Sequence, residues 1–201
     1  MQKRCIVVLF GMIGLAAWTS AKPLPRLEPK PAERSSSRVV METNHGRIVI
    51  ELYADKAPIT VKNFLQYVDE RYYEGTIFHR VVPNFVIQGG GMLPGLKKKP
   101  GRTPIKNEAG NGLSNERGTL AAARTSDPDS AKSQFYINLK DNKFIDRANS
   151  PDKIGYAVFG KVMEGMDVVD RISGVNTNNQ AGHSNVPVES VTIRSVRRAD
   201  P

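Results

Sequence analysis

From Arg38 to Val196 the chain is a series of short β-prone runs punctuated by Gly, Pro, Asn and Asp, with room for only two helices. That rhythm limits the fold more than any other feature of the sequence. Val39 and Met41, then Ile48, Ile50 and Leu52, alternate about the turn Asn44-His45-Gly46, which reads as an opening β-hairpin. Pro58 suits the first turn of a helix, and Val61, Phe64, Leu65 and Val68 recur at helical spacing, so one face of that helix packs inward. Strand-like runs follow at Val81 to Gln88, Gly118 to Ala123, Gln134 to Leu139 and Tyr156 to Val162. A second short helix is predicted from about Gly165 to Ile172, and a last strand from Val191 to Val196. The expected fold is mostly β, a closed antiparallel barrel whose ends the two helices cover; periodicity alone also permits a sandwich.

The first residues have a different character. Lys3 and Arg4 precede an apolar run from Cys5 to Trp18, and the small residues Thr19, Ser20 and Ala21 close it, which is the layout of a secretory signal peptide. The run has 14 residues, against the roughly 20 of a spanning helix. Residues 1–21 are therefore expected to be a cleaved signal that leaves no membrane insertion behind, with an uncleaved anchor as the alternative. Residues 22–37 carry Pro23, Pro25, Pro29 and Pro31 among charges and then three serines, a composition that buries no core and reads as a spacer. The globular domain is expected over residues 38–196, with 197–201 a charged tail.

Cleavage would remove Cys5, the only cysteine, so thiol chemistry, disulfides and cysteine metal sites are excluded from the mature chain. Without the signal, 27 basic residues face 20 acidic ones. Lys97, Lys98, Lys99 and Arg102, and the late cluster Arg194, Arg197 and Arg198, read as a solvated loop and tail. Such short runs, without interleaved aromatics, do not ask for nucleic acid.

Other chemistries also lack their residues. His45, His79 and His183 are not spaced with one another or with carboxylates in a metal pattern. Asp127-Pro128-Asp129 begins like a calcium loop, but Ala131 and Lys132 stand where a further oxygen ligand and the turn glycine belong. Gly89-Gly90-Gly91 is not followed by the Lys-Ser/Thr of a phosphate loop, and neither a dinucleotide fingerprint nor a nucleophile elbow is present. No cofactor and no metal is expected.

What remains is the segment from Phe78 to Gly90, FHRVVPNFVIQGG, where one arginine and one glutamine stand in an otherwise apolar strand region. In a continuous strand, side chains alternate, so a bend or bulge is required to bring Arg80, Phe85 and Gln88 together. Spacing alone leaves Arg80 open to a surface ion pair and Gln88 to a barrel-rim role.

This segment resembles the signature of the cyclophilin family of peptidyl-prolyl isomerases, and in particular its periplasmic bacterial members. The likeness continues through Pro104 to Ala109, Gly118 to Arg124, Ser130 to Leu139 and Gly155 to Val169, and so covers Arg38 to Val196. It implies an eight-stranded closed barrel capped by two helices, with a substrate groove on its outer face. The family's catalytic arginine falls on Arg80, its motif neighbour on His79, and the groove glutamines on Gln88 and Gln134. The proline pocket falls on Phe85, Val86, Tyr136 and Ile145, and the strand that carries the substrate backbone on Ala123 and Arg124. A tryptophan and a histidine of the eukaryotic groove are Phe144 and Tyr156 here. The lost indole N–H makes cyclosporin binding expected to be weak.

The resemblance further implies rotation about X–Pro bonds of exported proteins, in the periplasm and as a monomer. The alternative location is full secretion. An alternative function is a proline-peptide chaperone or docking module with incidental turnover.

Overall fold

The computed structural model describes residues 38–199. The expected signal (1–21) and spacer (22–37), and residues 200–201 of the expected tail, lie outside the described residues. The chain runs β1 (Arg38–Thr43), β2 (Gly46–Leu52), α1 (Pro58–Asp69), β3 (Ile77–Val82), β4 (Val86–Gly89), β5 (Met92–Leu93), β6 (Lys97–Lys98), β7 (Thr119–Ala122), β8 (Phe135–Asn138), β9 (Val158–Glu164), α2 (Met166–Ser173), β10 (Thr177–Gln180), β11 (His183–Pro187) and β12 (Val191–Arg198).

Eight of these strands close into a barrel in the order β1-β12-β3-β4-β8-β7-β9-β2, and every neighbouring pair is antiparallel. Alternation decides what fills it. Ile48, Ile50 and Leu52 of β2, Leu120 and Ala122 of β7, and Phe135 and Ile137 of β8 point into one interior cluster. Both helices add to it, α1 through Val61, Phe64 and Val68 and α2 through Val168, Val169 and Ile172. Phe64 is the hub of the α1 contact, with ring centroids 5.2 Å from Tyr73, 5.8 Å from Phe135 and 5.3 Å from Phe159. No helix among the described residues is long and apolar enough to cross a membrane.

α1 has no acidic residue in its first turn and no cap of its own, with Pro58 at its start. Glu108, from a distant loop, supplies the cap: its Oε1 accepts from Ile59 N at 3.1 Å, and its Oε2 from Thr60 N at 2.8 Å and Thr60 Oγ1 at 2.7 Å.

Two expectations are corrected. The run Val81 to Gln88 is not one strand but the junction of β3 and β4. The turn Pro83-Asn84-Phe85 reverses it, with Phe85 N donating to Val82 O at 3.0 Å and Asn84 at φ 57, a conformation asparagine tolerates. The last strand continues to Arg198, whose partner on β1 is Val39, so the barrel extends two residues beyond the expected domain end. The basic clusters stay largely exposed, as expected, and several of their groups pair at the surface: Arg198 with Asp69 through two bonds of 2.8 Å and Arg102 with Glu70, while Lys99 Nζ donates to Tyr72 O at 2.5 Å. Two short hairpins, β5–β6 and β10–β11, were not anticipated.

Candidate active site

The site grows from alternation on the barrel's outer face. Because Ile87, Leu120, Phe135 and Ile137 point inward, Val86, Gln88, Ala121 and Tyr136 must point outward. Cross-strand register then lines up Arg80 with Gln88, Gln88 with Tyr136, Tyr136 with Ala121, and Ala121 with Val158, one row across five strands. A shift in the β3–β4 register between Phe78 and Arg80 sets the phase, keeping Phe78 and Val81 inside while Arg80 turns out. The bend required by the sequence is thus supplied twice, by this bulge and by the turn at Asn84.

Val86, Ala121, Tyr136 and Val158 form a second apolar cluster separate from the interior, with Phe85, Ala123, Ile145 and Tyr156 packed against it. Above it is a notch of about 190 Å³ lined by Arg80, Phe85, Val86, Gln88, Ala123, Arg124, Tyr136, Ile145 and Tyr156. Nine of the twelve expected site residues therefore meet in one place.

The other three lie around it. Gln134 lines a larger adjoining depression of about 540 Å³ that shares Gln88, Ala123 and Arg124 with the notch. Phe144, 54% exposed, stacks on Phe85 at 5.7 Å and forms a rim. His79 is buried on β3, which β11 packs against, and its Nδ1 has no hydrogen-bond partner among the described residues. Burial, helped by nearby His183, pulls its pKa down to about 4.

Polar order at the notch runs through two glutamines. Arg80 Nη1 donates to Gln88 Oε1 at 3.3 Å, and Gln88 Nε2 donates to Gln134 Oε1 at 3.0 Å. The Arg80 guanidinium also stands 5.8 Å from the centre of the Phe85 ring. The glycine run after β4 makes this possible. A Cβ on Gly91 would lie 2.4 Å from Gln134 Cγ, and Gly90, at φ 80, would strike the Phe135 ring.

Sequence reasoning missed the polar frame beneath the notch. Tyr136 OH donates to Asn115 Oδ1 at 2.9 Å, and the same oxygen accepts from Asn138 Nδ2 at 3.2 Å. Asn115 Nδ2 donates to Asp146 Oδ1 at 2.8 Å, and Asn142 Nδ2 to Asn138 Oδ1 at 2.8 Å and Phe85 O at 3.0 Å. The frame hangs the short 3-10 turn Lys143–Ile145, which carries Phe144 and Ile145, against the barrel. The one signal was Asn138 inside the apolar strand FYIN, since a buried amide demands partners.

These groups offer no nucleophile poised beside a base, and no three metal-binding side chains gather among the described residues. A held guanidinium beside an apolar notch on a closed barrel defines a class of site suited to act by electrostatics and position and not by covalent chemistry.

The comparisons specify the class. Residues 38–198 match the family model of the cyclophilin type peptidyl-prolyl cis-trans isomerases. A peptidyl-prolyl cis-trans isomerase of Acinetobacter baylyi is 52% identical over 197 residues, covering 98% of this chain and 96% of that one. Peptidyl-prolyl cis-trans isomerase B of Escherichia coli is 56% identical over 159 residues, 79% of this chain and 97% of that one. A crystal structure of a Cryptosporidium parvum cyclophilin, obtained in the presence of the dipeptide Ala-Pro, superimposes with a TM-score of 0.69 at 26% identity, covering 82% of this chain and 99% of that one. The chain belongs to the cyclophilin-type peptidyl-prolyl cis-trans isomerases.

Proposed function

We propose that this chain accelerates rotation about X–Pro peptide bonds in exported proteins and so assists their folding in the periplasm. Rotation costs about 18 to 20 kcal/mol because it breaks amide resonance, and no bond to the catalyst is needed. A catalyst must only favour the twisted imide over both planar forms. In the twisted state the prolyl nitrogen regains a lone pair, to which a guanidinium can donate.

The single observation carrying this reading is the position of Arg80, held by Gln88 at the edge of a notch whose other walls are largely apolar. The notch takes the proline ring on one side of the bond, while Gln88 and Gln134 grip the polypeptide on the other. Uncatalysed exchange takes roughly 10 to 100 s. Reaching a turnover near 10³ s⁻¹ therefore needs about five decades, or roughly 7 kcal/mol, within the reach of one charge-assisted contact and good positioning.

Export rests on Lys3, Arg4 and the apolar run that follows them. A monomer suffices, because one chain supplies the whole notch. Cyclosporin is expected to bind weakly, since Phe144 offers no N–H.

The test is a proline-peptide isomerisation assay on wild type and Arg80→Ala. The variant should lose on the order of 10²- to 10³-fold in kcat/KM with its melting temperature retained. Equal activity in both would favour a peptide-binding module instead. Mature protein recovered from the periplasmic fraction should begin at Lys22.

A further inference from the structure

We propose that Asp152, which lines neither depression, is a positioning residue: it anchors Arg124, and Arg124 fixes the Tyr156 ring as one wall of the notch. The inference rests on reading the notch as the proline site. Arg124 follows Ala123 at the groove and borders both depressions, yet its side chain is only 4% exposed. Its guanidinium is held inside the protein. Nε donates to Gly155 O at 2.9 Å, Nη1 to Thr125 O at 2.9 Å and Nη2 to Asp152 Oδ2 at 2.5 Å.

Held this way, the guanidinium lies 4.5 Å from the centre of the Tyr156 ring. Tyr156 in turn meets Tyr136, the notch floor, edge-on at 5.8 Å and 74°. A continuous strut thus runs from Asp152 through Arg124 and Tyr156 to Tyr136.

Among the described residues, Asp152 supplies its only carboxylate. Two carbonyls can hold a guanidinium in place, but they do not neutralise it, and a desolvated cation without a counter-charge is expelled toward water. Both depressions offer Arg124 that escape, and taking it strips the cation from the face of Tyr156. The other oxygen, Asp152 Oδ1, accepts from Ile154 N at 3.0 Å and Gly155 N at 3.4 Å, setting the backbone from which Tyr156 projects. The hydrogen bond from Arg124 holds the Asp152 carboxyl well below the usual carboxylate range, so the Asp152–Arg124 pair is charged at neutral pH. Arg80 and Gln88 bond to each other and to Gln134 but share no hydrogen bond with the strut, so the strut shapes binding more than the rotation step.

The test measures KM and kcat for a proline tetrapeptide, together with solvent exchange of the Arg124 Nε–H by NMR, in wild type, Asp152→Asn and Asp152→Glu. Asp152→Asn keeps the shape and removes the charge. It should raise KM roughly five-fold, change kcat less than about two-fold, and speed Nε–H exchange. Asp152→Glu keeps the charge and should recover most of the lost affinity. Unchanged KM in Asp152→Asn overturns the proposal, whether or not the Nε–H stays protected; so does a loss confined to kcat. A wild type without turnover would overturn the functional reading, and this one with it.

Discussion

Gln88 donates to Gln134 Oε1 at 3.0 Å while its own oxygen accepts from Arg80 at 3.3 Å. One amide orientation therefore serves both neighbours; the reverse would set an NH₂ group against a guanidinium. The chain of bonds passes the placement of Gln134, on β8's approach, through β4 to the arginine on β3.

Gly91 is where this chain can be broken from a distance. Its added Cβ would fall 2.4 Å from Gln134 Cγ, so Gly91→Ala should swing Gln134 away and release Gln88. The expected result is a drop of about three- to ten-fold in kcat/KM, one hydrogen bond's worth, with little change in the urea midpoint. Paired activity and urea-melt measurements check it.

The response to pH should divide between turnover and stability. Arginine stays charged across the working range, and burial lifts the Tyr136 phenol well above its ordinary value. Turnover should be flat from about pH 6 to about pH 9, and a bell centred near neutrality would contradict Arg80 as the active group. Stability should fall at lower pH. His79 has its pKa reduced from 6.5 to about 4 in the folded chain, so between those values the unfolded chain binds the proton and the native one does not. That contribution is complete above pH 6.5 and is lost as pH falls to about 4, by roughly 3 kcal/mol. Urea melts at pH 7.5 and pH 4 should show a smaller acid loss for His79→Asn.

Glu108 should matter to stability without touching the notch. It satisfies the backbone N–H groups of Ile59 and Thr60 at the start of α1, where no local side chain does. Glu108→Ala should cost about 1 to 2 kcal/mol. Thermal and urea denaturation would reveal the loss, while KM for a proline peptide should stay near the wild-type value.

The sequence carried the elements whose apolar residues alternate or recur at helical spacing: the β1–β2 hairpin, α1, α2 and β12 lie close to where the pattern put them. Closure was less visible, because the pairing of β1 with β12 and of β2 with β9 joins residues far apart in the chain. The hairpin β10–β11 escaped notice because its described residues are mostly polar and only Val186 and Pro187 are buried, so it has no apolar rhythm. Pro83 and Asn84 were passed over because apolar residues flank them on both sides. At the site, Arg80 and the aromatic residues were legible through family likeness. Asn115, Asn142 and Asp152 were not, since Asn and Asp in polar loop stretches normally signal only turns.

The ring of strands has one further effect on a protein that handles extended chains. A sheet left open would present a row of bare N–H and C=O groups to any unfolded segment nearby, inviting it to add a strand and seed an aggregate. With the last strand laced to the first, the main barrel offers no such template. A passing segment therefore finds no open barrel edge on which to lengthen the sheet.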